Sequence, residues 1–593
     1  MSVENTPQRL LRNSKEHANE PALSSPVNGD WETDTWAQFA SYVIDISKAL
    51  MALGFEKNDK LSIYSYNRKE WYGCYAAAQM TGGAGVGVYQ TCSPEEVEWV
   101  VGNSDSKVVF VGNNPMDNGE KDKMPNYRLM KVLDQLDKVE HVVMMNGVEA
   151  FDNPKVMMWD DFIGKGSSVE ESEVTDRTNT ISMEDTASLI YTSGTTGNPK
   201  GVELTHGNWS FELDATDSIM EFHPGEKYVS WLPLAHVFGQ LVDNHYWMKN
   251  ALHMYVVDNP LNVVDFAKEI QPHVFIGVPR IYEKIYSNVK AALDAKAALK
   301  ILLKVPGISG VLKGKLKEKI GMANCRFAIT GAAPINTDIL RLFQSLGVPI
   351  FEGYGMTENT AGATINYAGM NRIGTVGPAF PNTEVKIAED GEVLIKGRHV
   401  MKGYYKNQQA TAETIINGWL QTGDVGEIDA DGFVKITGRK KEIYVTSGGK
   451  NIAPLIIEET MKSISIISQC FLVGDGRKFC SALFTLDAGA IIRDKLGVDA
   501  NEVPKDPFEQ MAKMKELGHT FDDFTGSDEV RAEVQTQVDV LNAQFSSPEQ
   551  VKKFSILPRD LTIDDGELTP TLKIRRKQIS ENWSAEIEAM YAE

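Results

Sequence analysis

At 593 residues, 42% hydrophobic and 24% charged, the chain is too long for one core and ordinary for a soluble globular protein, which predicts a large domain with at least one smaller one. No run approaches the roughly 18 unbroken apolar residues of a membrane-spanning helix, and a formal net charge of -21 excludes nucleic acid and anionic lipid headgroups as bulk partners. Five scattered cysteines, Cys74, Cys92, Cys325, Cys470 and Cys480, make no CxxC and no Cys/His metal spacing, so reduced, buried thiols are expected. The polar start MSVENTPQRLLRNSKEHANE lacks the order of a secretion signal. A cytoplasmic location is expected, with peripheral contact at a membrane left open.

In chain order, Trp36 to Leu53 sets Phe39, Tyr42, Val43, Ile46 and Leu50 on one helical face, and the strand-like KLSIYSY follows at 60 to 66. A helical stretch from Trp71 to Met80, then GVGVYQT, EEVEWVVGNS and KVVFVG, gives the β-α-β rhythm of a parallel sheet covered by helices. The rhythm returns in HVFIGVP at 273 to 279, a helix from Arg280 to Leu299, RFAITGAAP at 326 to 334 and TDILRLFQSLG. From about Gly374 short strands and Gly/Asp turns (TEVKIAEDGEVLIKG, GEIDADGFVKITGRKKEIYV) predict a small β subdomain. Beyond Arg439 the chain reads as a compact α+β unit, interrupted by a polar stretch at about 494 to 549 that resembles an insertion or mobile surface segment.

Five stretches look chemical. YTSGTTGNPKG, residues 191 to 201, is a glycine- and hydroxyl-rich loop after a strand, offering N–H and O–H donors that suit a polyphosphate. It is not a Walker A loop: counting from Gly194, Pro199, Lys200 and Gly201 stand where Gly-Lys-Ser/Thr is required. WLPLAHVFGQ sets His236 among apolar neighbours, where a core histidine is the commoner reading. FEGYGMTE combines close-approach glycines, a Tyr354 ring able to stack on a base, and Thr357 with Glu358, whose oxygens could meet hydrated Mg2+. LQTGDVG puts Asp424 after a glycine turn, where it could accept ribose hydroxyls. Lys573 in TPTLKIRRK could neutralise charge on a transferring phosphoryl group.

In chain order YTSGTTGNPKG, LPLAHVFGQ, TGAAP with GYGMTE, TGD, and GRKKE with TPTLKIRRK resemble the adenylate-forming, AMP-binding superfamily over nearly the whole chain. GVPRIYEKI at 277 to 285 and TPTLKIRRK are similar to its long-chain fatty acyl-CoA synthetases and their bubblegum-type relatives. Two positions depart from the common pattern: Thr571-Leu572 precede Lys573 where many members have Ser-Gly, and Lys441 stands where many have a hinge aspartate.

The resemblance implies a large N-terminal domain of α/β layers plus a small β subdomain, residues 1–438, and a smaller mobile α+β C-terminal lid, residues 439–593, with the hinge near Lys441. It implies ATP, Mg2+ and CoA as cofactor and co-substrates and a fatty acid as the acyl source. Thr192, Ser193, Thr195, Thr196 and Lys200 would contact phosphates, with Thr195 and Glu358 near Mg2+. Gly331, Ala332, Ala333 and Tyr354 would frame adenine, and Asp424 and Arg439 would hold ribose. Thr357 would contact the α-phosphate, Lys573 would bridge it to the carboxylate, His236 would lie near that carboxylate, and Gly448 would line the path of CoA. Leu232, Leu234, Val237, Leu241, Ile276, Val278 and Ile281 are expected either to line an acyl tunnel or to belong to the core. A luciferase, a peptide-synthetase adenylation domain and a regulator that has lost catalysis share the nucleotide motifs. Lys573, Glu358 and Thr357 together argue against the last.

Overall fold

The computed structural model describes residues 4–113, 120–192, 198–294, 308–445, 451–499, 502–563, 565–569 and 573–592. The β-α-β rhythm of the first half builds an eight-stranded sheet. Lys60–Tyr64 pairs in parallel with both Ala84–Val88 and Ser106–Val111. The sheet runs on one side through His141–Met144 to Val156–Met158, and on the other through Thr186–Thr192 to the antiparallel strands Lys200–Thr205 and Gly403–Tyr404. Central strands such as AGVGV are buried along their whole length, which is why they read as apolar runs without alternation.

The helix expected over Trp36 to Leu53 spans Trp36–Ala52. Thr35 and Gln38 form a reciprocal capping box at its start. Phe39, Val43, Ile46 and Leu50 are fully buried beneath it, each contributing about 2 kcal/mol of apolar burial.

Two further parallel ladders form the second half of the large unit. Lys227–Ser230, His253–Val256 and Pro21–Val27 run together, and Val274–Gly277, Phe327–Thr330 and Ile350–Tyr354 do likewise. They meet edge to edge where the His273 N–H donates to Lys227 O at 2.8 Å. The helix expected from Arg280 is Pro279–Asp294, and the rest of its expected range lies outside the described residues. The small β region is an antiparallel meander of Glu384–Ile387, Glu392–Lys396, Trp419–Ile428 and Val434–Arg439.

The C-terminal strands Ile467–Val473, Cys480–Leu486 and Val551–Ile556 form a three-stranded sheet with a core of its own that includes Ile457, Leu472, Phe484 and Ile491. The polar stretch 494–549 is more ordered than its composition suggests. It holds the helices Pro507–Glu516, Asp522–Thr525 and Asp528–Asn542. Val530, Val534 and Val538, spaced four apart on one helical face, bury themselves in that core. All five cysteines are free and buried. Among the described residues no helix is long and apolar enough to cross a membrane.

Chemistry-bearing loops leave the carboxyl ends of parallel strands, where open α/β sheets place their ligands. Thr192, Thr330 and Tyr354 are each the last residue of a strand. The loop after Tyr354 folds back so tightly that a Cβ on Gly355 would stand 2.1 Å from Ala361 O, and one on Gly377, at φ +80°, 2.0 Å from the Ile365 carbonyl carbon. Gly432, at φ +87°, has open space beside it. Gly377→Ala is therefore expected to cost about 3 kcal/mol, against about 1 kcal/mol of backbone strain for Gly432→Ala. Denaturant melts of the two variants measure this, and equal losses would show that the backbone at Ile365 yields.

Candidate active site

The site is held together by a short chain of polar contacts between the large unit and the β meander. The Tyr354 hydroxyl donates to Asp424 Oδ2 at 2.7 Å, and Arg439 Nε lies 3.2 Å from Asp424 Oδ1. Asp424 and Arg439 face each other across paired strands, so the ion pair is fixed by register. Burial raises the Asp424 pKa, opposed mainly by Arg439 and the Tyr354 hydrogen bond. Each carboxylate oxygen keeps a lone pair for a further donor such as a ribose hydroxyl. The turn before Asp424 is braced as well: the Gly423 N–H donates to Glu392 Oε1 at 2.8 Å, and Glu392 pairs with Lys440 at 2.9 Å.

Gly331, Ala332 and Ala333 follow the strand Phe327–Thr330. A Cβ on Gly331 would lie 3.4 Å from Gly353 O, so this turn sits beside the strand that ends in Tyr354. Ala332 holds a positive φ of 70°, as do Thr360 (60°) and Ala361 (86°) at the end of the Glu358 turn. Such strain in non-glycine residues persists where surrounding structure over-determines it.

Thr357 and Glu358 are buried in a 3-10 turn, Thr357–Asn359. Glu358 Oε1 accepts a 2.8 Å hydrogen bond from the hydroxyl of Tyr404. Thr192 and Lys200 face each other at the base of the glycine-rich hairpin. Lys200 Nζ lies 4.8 Å from the centre of the Tyr404 ring. Ser193, Thr195 and Thr196 in the loop itself, and Gly448, lie outside the described residues.

His236 caps the helix Val237–Gln240: its Nδ1 accepts the Phe238 N–H at 3.2 Å. An acceptor Nδ1 puts the proton of the neutral ring on Nε2, leaving Nε2–H as the free donor. Burial, with a smaller push from Lys573, lowers the His236 pKa to about 3. The sequence pattern alone favoured an inert core histidine. The structure instead places it half-buried within electrostatic reach of Lys573.

Lys573 comes from the far end of the chain. Its N–H donates to Thr569 Oγ1 at 3.1 Å and its C=O accepts the Thr569 N–H at 2.8 Å. With the Leu568–Ile574 bridge these bonds hold the backbone at Lys573 against that at Thr569. The residue is exposed to solvent, with other charged groups near it. Desolvation and the neighbouring Arg439 lower its pKa, against the pull of Asp424, Glu358 and Glu442. The chain just before the lysine is anchored by Glu567, fully buried and holding Arg559 in a fork at 2.7 and 3.0 Å and the Trp583 indole at 2.7 Å. Arg575, two residues on, reaches Glu96 of the large unit at 3.4 Å. Arg280 pairs with Asp487 at 2.8 Å across the same cleft. Lys441 is exposed in the turn Lys440–Glu442 directly after Arg439.

Sequence reasoning missed Tyr404 and Glu567. Neither GYY at 403 to 405 nor Glu567 lies in a stretch whose pattern signals a site. The expected acyl-lining residues divide. Leu232, Leu234, Val237, Leu241, Ile276 and Ile281 are buried in the two large cores, while Trp231, Phe238 and Val278 are partly exposed. Asp243 is spent on Ser230 and His245 on Thr6 and Tyr75, so neither is free to meet a substrate.

Residues 10–405 match the AMP-binding enzyme family, and the chain belongs to it. It is 33% identical over 95% of its length to a relative named long-chain-fatty-acid--CoA ligase FadD15 from Mycobacterium bovis, covering 93% of that protein. It is 30% identical over 96% of its length to the long-chain-fatty-acid--CoA ligase ACSBG2 of Xenopus laevis, covering 81% of that chain. The resemblance to long-chain and bubblegum-type synthetases is thereby borne out. The A domain of carboxylic acid reductase from Segniliparus rugosus, solved with AMP and a co-purified carboxylic acid, shares the fold with a TM-score of 0.76 at 17% identity, over 100% of this chain and 94% of that one. The fold is that of adenylate-forming enzymes, α/β with a large N-terminal and a smaller C-terminal part.

Unfolded, His236 takes up a proton near 6.5; folded, it does so only near 3. The folded state therefore loses stability as pH falls below 6.5, by up to about 1.4 kcal/mol per pH unit. His236→Gln removes this loss, so whatever the variant costs in melting temperature at pH 7.5 is expected to shrink or reverse at pH 5. A pH-independent difference would mean that the fold does not hold the imidazole neutral.

Proposed function

We propose that the protein condenses a long-chain fatty acid with ATP to acyl-AMP and then passes the acyl group to CoA, releasing AMP and pyrophosphate. The observation that carries this reading is the convergence of the separate motifs on Asp424, which accepts from the Tyr354 hydroxyl at 2.7 Å and pairs with Arg439 at 3.2 Å, with Lys573 of the C-terminal unit within electrostatic range of them. A transferring phosphoryl group needs a cation of this kind beside it. The long acyl chain is supported by the names of the relatives rather than by a channel.

In the first half-reaction a carboxylate oxygen attacks the α-phosphorus, the bond to the bridging oxygen breaks, and pyrophosphate leaves with that electron pair. Catalysis of such a step is alignment and charge neutralisation. Lys573 would neutralise the carboxylate and the α-phosphate, with Thr357 donating to the latter and His236 Nε2–H to the acyl carboxylate. Thr192, Ser193, Thr195, Thr196 and Lys200 would cradle the β- and γ-phosphates. Tyr354, pinned through its hydroxyl by Asp424, would stack on adenine beside Gly331, Ala332 and Ala333, and Asp424 with Arg439 would hold the ribose.

Among the described residues no group of three or more His, Cys, Asp and Glu side chains could hold a metal ion. That fits Mg2+ bound through substrate phosphates and one carboxylate, Glu358, with Thr195, in place of a protein cage. When bound, the ion would offset phosphate charge.

The lid would comprise residues 439–593 and turn about Lys441, withdrawing Lys573 and bringing Gly448 to the path of the CoA thiol. In the second half-reaction the thiol sulfur attacks the acyl carbon and AMP leaves. A cytoplasmic location, with peripheral membrane contact where the substrate is taken up, is part of this reading.

Purified protein given a fatty acid, ATP, Mg2+ and CoA is expected to release AMP and pyrophosphate, with kcat/KM rising from C6 toward C12 to C18. Release of ADP and phosphate would refute the adenylate route. A maximum at acetate or an aromatic acid would refute the long-chain assignment alone.

Lys573→Ala is expected to slow adenylation by on the order of 10²–10³-fold while sparing thioester formation from supplied acyl-AMP. Stopped-flow measurement of the separate half-reactions checks this, and an equal fall in both would make the lysine structural.

A further inference from the structure

The geometry points to Tyr404 as a positioning residue that fixes the Glu358 carboxylate for a phosphate-bound divalent cation and ties it to Lys200 of the phosphate loop. The inference rests on the proposed assignment of Glu358 to Mg2+ and adds a residue to it.

Tyr404 belongs to a two-residue strand, Gly403–Tyr404, laid antiparallel against the exit strand of the glycine-rich hairpin. Backbone bonds on both sides lock its place: the Lys402 N–H donates to Glu203 O at 3.0 Å and the Tyr405 N–H to Gly201 O at 2.8 Å. Its own N–H donates to Thr411 Oγ1 at 2.9 Å. The same segment holds the Glu358 turn, since the Met401 N–H donates to Glu358 O at 2.8 Å. From this frame the buried Tyr404 side chain acts in two directions. Its hydroxyl donates to Glu358 Oε1 at 2.8 Å, which fixes the rotation of the carboxylate and makes Oε2 the oxygen this inference assigns to the cation. The face of its ring lies under the Lys200 ammonium at 4.8 Å, a cation–π distance.

A carboxylate on an unbraced side chain samples several rotamers. A cation that demands near-octahedral geometry binds only the fraction correctly posed, and partners that orient such ligands set metal affinity by 10-fold or more. Tyr404 supplies this orientation, and through its ring it places Lys200 so that the loop lysine and the cation approach the polyphosphate from fixed directions. Nothing local in the sequence announces it, because Tyr404 and Glu358 are 46 residues apart.

The test is equilibrium binding of α,β-methylene-ATP, which cannot be adenylated, by isothermal titration to full-length protein with and without Mg2+. Tyr404→Phe keeps the ring and removes the donor. It is expected to weaken binding in Mg2+ by about 10-fold while leaving metal-free binding and the melting temperature unchanged. Tyr404→Leu is expected to weaken metal-free binding as well, because the Lys200 contact is lost. Tyr404→Phe binding as wild type in Mg2+, or losing metal-free affinity and melting temperature together with it, would overturn the proposal. Wild-type protein that binds the analogue equally with and without Mg2+ would overturn instead the assignment of Glu358 on which it rests.

Discussion

Desolvation and the neighbouring Arg439 depress the Lys573 pKa, while Asp424, Glu358 and Glu442 pull the other way and Arg439 is itself paired with the buried Asp424. Like charges in a partly desolvated site repel; the three carboxylates offset that repulsion, and Glu567, holding Arg559 and Trp583, anchors the chain just before the lysine. Lys573 and Arg439 are the cations that a phosphoryl group would meet there, in a chain of net charge -21 whose wider field does not attract anions.

The same constraint explains why the C-terminal unit is lightly held. The ion pairs Arg575–Glu96 and Arg280–Asp487 cross the cleft with side chains 30–40% and 29–52% exposed, and pairs of that kind each contribute about 0–1 kcal/mol. Lys505 adds a similar contact to Asp265. A few such bonds set the position of Lys573 without committing the unit to it. In the proposed reaction the anion beside Lys573 is the α-phosphate, which stays with the acyl-AMP when pyrophosphate departs from the side of Thr192 and Lys200, so what would free the lysine is the loss of the β- and γ-phosphate charge nearby.

Much of this was legible in the sequence because local chemistry encoded it. The parallel-sheet rhythm, the meander and the turn at FEGYGMTE follow from periodicity or from short-range turn residues, while Asp424 and Arg439 were placed together on a ribose only by the family resemblance. What was not legible depends on side chains meeting across long separations. Tyr404 reaches Glu358 over 46 residues, and Arg575 reaches Glu96 over 479. A polar composition concealed the helix Asp528–Asn542, although its valines at 530, 534 and 538 stood at helical spacing. The apolar run from Trp231 could not be divided into core and lining by any rule of pattern, since both require the same residues.

That division bears on how an acyl chain could be accommodated. With Leu232, Leu234, Val237 and Leu241 in the core, the apolar surface still partly open near the adenylation turn is that of Trp231, Phe238 and Val278. Trp231 is not loose: its indole N–H donates to Ile276 O at 2.9 Å, and a Cβ on Gly277 would stand 3.0 Å from its ring. Phe238 lies 4.0 Å from the position a Cβ on Gly331 would take, so a glycine and an aromatic edge together border the step from nucleotide turn to apolar interior. A chain entering there would meet fixed aromatic faces first, and each methylene buried beyond them would add about 0.8 kcal/mol. Discrimination by length would then rest on how far the core behind Trp231 and Phe238 can part, which is a property of packing and not of any one polar group.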